Sequence, residues 1–213
     1  MNKLLAGILA IVSLVVMPAL VQAQQPPQGG QGGPPPVRVR GTIEKVEGNT
    51  VTVKARDGKT ETLKLADNPR ITAMEKATLA DIKVGSFIGV TAMPQPDGSQ
   101  KAIGLHIFMD AQHGVVPLRF GPWDREPGST MTNADVTSTV ASVDGQVMVV
   151  KYADGEKKVI VPANTPVVRF VPGNMGDVKP GAQMILIAGK RNPDGTIAAP
   201  GINVGRNGAA PPM

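Results

Sequence analysis

The chain has no cysteine, two histidines and six aromatic residues (four Phe, one Trp, one Tyr) in its 213 residues. Without cysteine it can form no disulfide, thiolate metal site, iron–sulfur cluster or cysteine nucleophile. Two histidines cannot supply a three-histidine zinc site within one chain. So few aromatics leave little to stack on bases, and a nucleic-acid partner is not expected. Beyond the first two dozen residues no apolar run approaches the roughly 20 residues of a membrane span, so no transmembrane domain is expected there. Catalytic constellations are missing as well. The serines after the leader (Ser86, Ser99, Ser129, Ser138, Ser142) lack a G-x-S-x-G elbow, and no phosphate-cradling glycine motif leads from a strand into a helix. An enzyme is not expected.

What is present begins with an address. Lys3 precedes an apolar run from Leu4 to Val16, Pro18 ends it, and Val21-Gln22-Ala23 has the small-residue pattern of a signal-peptidase site. Residues 1–23 are expected to be a signal peptide cleaved after Ala23, with the protein periplasmic or secreted. No cysteine follows the run, so no lipid anchor is expected. Residues 24–36 read QQPPQGGQGGPPP, a Pro/Gly/Gln-rich spacer with nothing to build a core, expected to be disordered.

From Val37 onward the pattern is strand alternation: Val37, Val39, Gly41 and Ile43 fall on one face, with Arg38, Arg40, Thr42 and Glu44 on the other. Asp-Gly pairs at 57–58, 97–98, 144–145, 154–155 and 194–195 punctuate the chain at hairpin spacing. These signals repeat. Ile43-Glu-Lys-Val-Glu-Gly48 aligns with Val140-Ala-Ser-Val-Asp-Gly145 at an offset of 97 residues, which also relates Asp57-Gly58 to Asp154-Gly155 and Pro69 to Pro166. Asp81-Ile-Lys-Val-Gly85 matches Asp177-Val-Lys-Pro-Gly181 at 96. One unit therefore occurs twice. The expected fold is all-β: two tandem five-stranded OB-like β-barrels over 37–108 and 136–206, joined by a connector over 109–135 and followed by a disordered tail over 207–213. A short helical turn or loop is expected at each Asp-Ile/Val-Lys-x-Gly element.

The runs VRVRGTIEKVEGNTVTVKARDG, LADIKVGSFIGV and AMPQPDGSQKAIGLHIF, with the later PWD, GSTMTN and DGEKKVIVP, resemble an exported bacterial family. Its members carry the OB-like domain of unknown function numbered 5666. The resemblance covers nearly the whole chain after the leader, and the HIF and STMTN stretches are its most specific parts. It implies a tandem OB-like envelope protein with no assigned activity. After HIF this chain has Met109-Asp110 where the family pattern has Pro-Glu. Some relatives carry an automatic label as a metal ABC-transporter permease, which a chain without multiple apolar spans cannot be.

Three candidate sites emerge. His106, Met109, Asp110 and His113 gather two imidazoles, a thioether and a carboxylate within eight residues, a donor set suited to weak copper or zinc binding. Alternation with Ile103, Leu105 and Ile107 on the core side turns His106 outward. No other cofactor is expected. Arg38, Arg40, Lys54 and Arg56 form the densest basic face, suited to a polyanion or polysaccharide. Phe120 and Trp123 concentrate apolar bulk in the connector, as an anchor between barrels or for a partner. The sequence thus reads as a non-catalytic binding or scaffold module of the cell envelope, facing an envelope protein or polysaccharide, with transition-metal handling and polyanion binding as alternatives.

Overall fold

A computed structural model of the protein describes residues 35–213. The leader, its cleavage position and the spacer up to Pro34 lie outside the described residues. The remainder is all-β, with twelve strands: β1 (Val37–Glu47), β2 (Thr50–Ala55), β3 (Thr60–Ala77), β4 (Phe87–Pro94), β5 (Gln100–Ile107), β6 (Arg119–Pro122), β7 (Thr130–Ser142), β8 (Gly145–Tyr152), β9 (Gly155–Pro162), β10 (Val167–Pro172), β11 (Gln183–Arg191) and β12 (Ile197–Gly205).

The turn chemistry is local and repeats as the sequence does. Asp97 Oδ1 accepts from the Ser99 amide and hydroxyl, and Asp194 Oδ1 accepts from the same two groups of Thr196. The Asp-Ile/Val-Lys elements follow single 3-10 turns at Leu79–Asp81 and Met175–Asp177. Their aspartates reach back to the amides of Thr78 and Asn174 at 2.8 and 3.0 Å.

Strand pairing does not respect the expected division at 37–108 and 136–206. β1, β2 and β3 close a five-stranded barrel with β12 and β11, the last two strands of the chain. All of its pairings are antiparallel except β3 with β12, where Leu63 faces Ile197 in parallel. β7, β8 and β9 form the corresponding circuit with β5 and β4, closed by the short parallel pairing of Gln100 with Val159. Each circuit therefore takes three strands from one repeat and two from the other.

The physical cause lies in β3. A strand rises about 3.3 Å per residue, so the 18 residues of β3 carry the chain on the order of 60 Å, past the end of the barrel it began. Its outer third, Thr72–Ala77, pairs antiparallel with β10. At offset 97 Ala73 corresponds to Phe170 and Met74 to Val171, yet the ladder joins Met74 to Phe170 and Ala73 to Val171. That crossed register is what a two-fold relation between the repeats produces, and it marks the seam where the strands exchange.

Three apolar clusters follow from this arrangement. Ile43, Val51, Leu63, Met184, Leu186 and Ile197 fill the first circuit. Ile88, Val90, Leu105, Met148, Val150 and Val159 fill the second. A third cluster sits at the seam and holds most of the chain's large aromatics, with Met74, Phe87, Phe108, Trp123, Met131 and Phe170 among its members.

Two further expectations are corrected. Residues 130–135 are not connector but the first half of β7, paired with β4 on one side and with β6 on the other. The tail is ordered: Ala209 and Met213 are each 1% exposed, and Pro211 and Pro212 are buried. A side chain at Gly104 would occupy the space of Pro212, so the tail packs directly on the β5 backbone. No helix among the described residues is long and apolar enough to cross a membrane.

Candidate functional site

β5 lies between β4 and β10, and its alternate side chains enter two different apolar clusters. Leu105 points into the second circuit, and His106, on the opposite face, enters the seam. The expectation that alternation would turn His106 to solvent is therefore corrected: its side chain is only 3% exposed. The ring stacks on Phe170, with centroids 4.8 Å apart, and meets Phe108 edge-on at 4.5 Å. It fits because Gly89, its cross-strand neighbour on β4, has no side chain; a Cβ there would overlap the imidazole. Burial among apolar rings pushes the His106 pKa down to about 3, which leaves the ring neutral. Its Nδ1 has no hydrogen-bond partner.

The other members of the expected metal set stay apart. His113 is exposed, and its Nε2 lies 2.8 Å from Asp135 Oδ1 while its ring edge meets Phe87. The Met109 amide is held by Gln112, and Asp110 is exposed at the start of a 3-10 turn. Among the described residues, no group of three or more His, Asp or Glu side chains converges.

Trp123 follows β6 and is nearly buried at the same seam. Three guanidinium groups surround its ring: Arg38 at 4.4 Å, Arg40 at 5.6 Å and Arg119 at 5.8 Å from the centroid. Asp124 answers two of them, at 2.7 Å from Arg40 and 3.4 Å from Arg38. Burial acts to raise the Asp124 pKa, but the Arg40 hydrogen bond and the two positive charges outweigh it and hold the carboxyl below its usual range. The indole Nε1 is buried with no acceptor. Phe120 lies elsewhere, tilted against Tyr152 of β8 with Lys157 over its face. Of the two expected anchors, then, Trp123 belongs to the seam and Phe120 packs on the second circuit alone.

The expected basic face is largely engaged in holding other parts of the chain. Arg40 Nε donates to the Met213 carbonyl at 2.9 Å, and Arg56 donates to the Pro211 carbonyl at 3.3 Å. Arg125, from the connector, reaches the same Pro211 oxygen at 3.5 Å. Burial, then the charges of Arg125 and Arg40, lowers the Arg56 pKa. Lys54 stays exposed without an ion pair among the described residues.

His106 and Trp123 share an open cavity of 280 Å³ at the seam. Phe108 and Phe170 form its aromatic walls, Met131, Ile187 and Met213 are further apolar lining, and Arg70, Arg119 and Asn203 add polar groups. Its lining comes from strands of both circuits, the loop after β5 and the tail. Arg70, Arg119, Asn203 and Phe170 were not singled out in the sequence. Phe170 had a signal, being one of only two aromatics in the second repeat. His106 and Phe108 had another, since two residues of spacing puts both on one strand face.

No family model matches the chain, and no curated protein and no solved structure matches it either.

Proposed function

We propose that the protein is a non-catalytic binding module of the cell envelope, exported by its leader, with its two circuits acting as interlocked OB-like barrels that frame a ligand site at their seam. The reading keeps the resemblance to the exported family of domain 5666 and differs from a surface scaffold in where it puts the ligand. The observation that carries it is the open cavity of 280 Å³ at the seam, walled by Phe108, Trp123 and Phe170 and bearing Arg70 and Arg119 among its polar groups. A concave, mostly apolar pocket with a few polar groups among its lining is the usual form of a small-molecule site.

An envelope protein or polysaccharide bound along the arginine-bearing face is second to this reading, because those arginines already hold Asp124 and the tail. Copper or zinc handling would need His106 and His113 to share an ion, and one is enclosed by rings while the other is paired with Asp135.

The test is a ligand-observed NMR screen of a fragment set spanning neutral, cationic and anionic molecules, run on the wild type and on Val116→Phe, which narrows the cavity from its loop side. Hits lost in Val116→Phe support the reading. A screen without hits, or hits indifferent to the filled cavity, overturns it.

A further inference from the structure

The cavity's charge and shape restrict what it can hold. No Asp or Glu lines it, whereas Arg70 and Arg119 do, and neither arginine has a carboxylate partner among the described residues. Arg119 also sits close enough to Arg38 for the two charges to repel, since burial and Arg38 together lower its pKa. A cationic ligand would meet two guanidinium side chains here and no side-chain carboxylate. An anion would relieve the repulsion and form charge-assisted hydrogen bonds with a guanidinium fork.

The walls restrict the remainder of the ligand. A dry cavity of about 150 Å³ accommodates a benzene ring, so 280 Å³ holds one ring with a short substituent. Phe108, Trp123 and Phe170 offer ring faces and edges to it.

We infer that the seam cavity is a site for a small aromatic carboxylate, its ring packed beside Trp123, Phe108 and Phe170 and its carboxylate taken by Arg119 and Arg70. The inference rests on the proposed binding function and narrows it to a ligand class.

Calorimetric titration of the full chain with trans-cinnamate, and with cinnamyl alcohol as its neutral counterpart, tests the assignment. Cinnamate is expected to bind one to one and at least about tenfold tighter than the alcohol, the size of one charge-assisted hydrogen bond. Arg119→Gln is expected to bring acid and alcohol to within about twofold, and Arg70→Gln to narrow the gap in part. Equal affinity for acid and alcohol, or a preference that survives both arginine changes, overturns the ligand class while leaving the cavity as a binding site. Cinnamate binding unchanged in Val116→Phe also overturns it, because the anion would then sit on surface arginines. If neither compound binds and the fragment screen is empty, the binding function itself falls.

Discussion

At the scale of single residues, the most constrained group is the His106 imidazole. Its folded pKa of about 3 lies well below the ordinary histidine value of 6.5, so the unfolded chain binds a proton that the folded chain refuses. The stability this difference represents is fully present above pH 6.5 and is lost as pH falls from there toward 3. Urea denaturation of the wild type and of His106→Phe at several pH values checks this. The difference between the two is expected to shift against the wild type by about 1 kcal/mol per pH unit below 6, a slope the carboxylates cancel out of because both proteins share them. A flat difference would mean that the ring is protonated in place. Gly89 is the counterpart of this histidine. Gly89→Ala puts a methyl group into the imidazole, and a loss of about 1–3 kcal/mol is expected in the same assay, the usual cost of overpacking a filled core. His106→Ala combined with Gly89→Ala should recover part of it, since the clash is then gone. The period-2 spacing of His106 and Phe108 put the two side chains on one face. It could not say that the face was covered, because Phe170, which packs on both rings, lies more than 60 positions away.

At the scale of elements, the tail shows how far local composition can mislead. Gly208-Ala-Ala-Pro-Pro-Met213 has neither alternation nor helical periodicity, and read alone it is a loose end. Its order comes from partners distant in sequence: carbonyls taken by Arg40, Arg56 and Arg125, and Pro212 seated where Gly104 leaves room. Met213→Ala is therefore expected to lower stability by about 2–5 kcal/mol, as for other fully buried methionines, measured by urea denaturation. A change under about 0.5 kcal/mol would place the tail outside the core. The short elements were far more legible. The Asp-Gly turns and the paired 3-10 turns at Leu79–Asp81 and Met175–Asp177 fall where the sequence puts them, because their hydrogen bonds close within three residues. The full length of β3 was less legible, since past Pro69 the strand is held by β10 and β12, partners from the far end of the chain.

At the scale of the whole molecule, the repeat specified which strands are equivalent but not which copy each would join. That choice depends on where the β3 extension leads, and both outcomes satisfy the same alternation. Exchange makes the two circuits energetically inseparable, since neither closes without strands from the other half. One cooperative thermal transition is expected by calorimetry, and Leu63→Ala in the first circuit and Leu105→Ala in the second should each displace that same transition downward, at a cost of about 2–5 kcal/mol. Two resolved transitions, each answering to only one of the substitutions, would show circuits that melt independently.

The same exchange sets a timetable for the growing polypeptide. β1 finds one of its two neighbours in β2 within a few residues, but the other, β11, begins at Gln183. β3 likewise waits for β12, which ends at Gly205. The earliest hairpin to leave the ribosome keeps an unpaired strand edge on both sides until nearly everything else has been made. Such an edge invites pairing with other chains. A protein built this way gains little from folding as it emerges and depends on being kept extended until its last strands arrive.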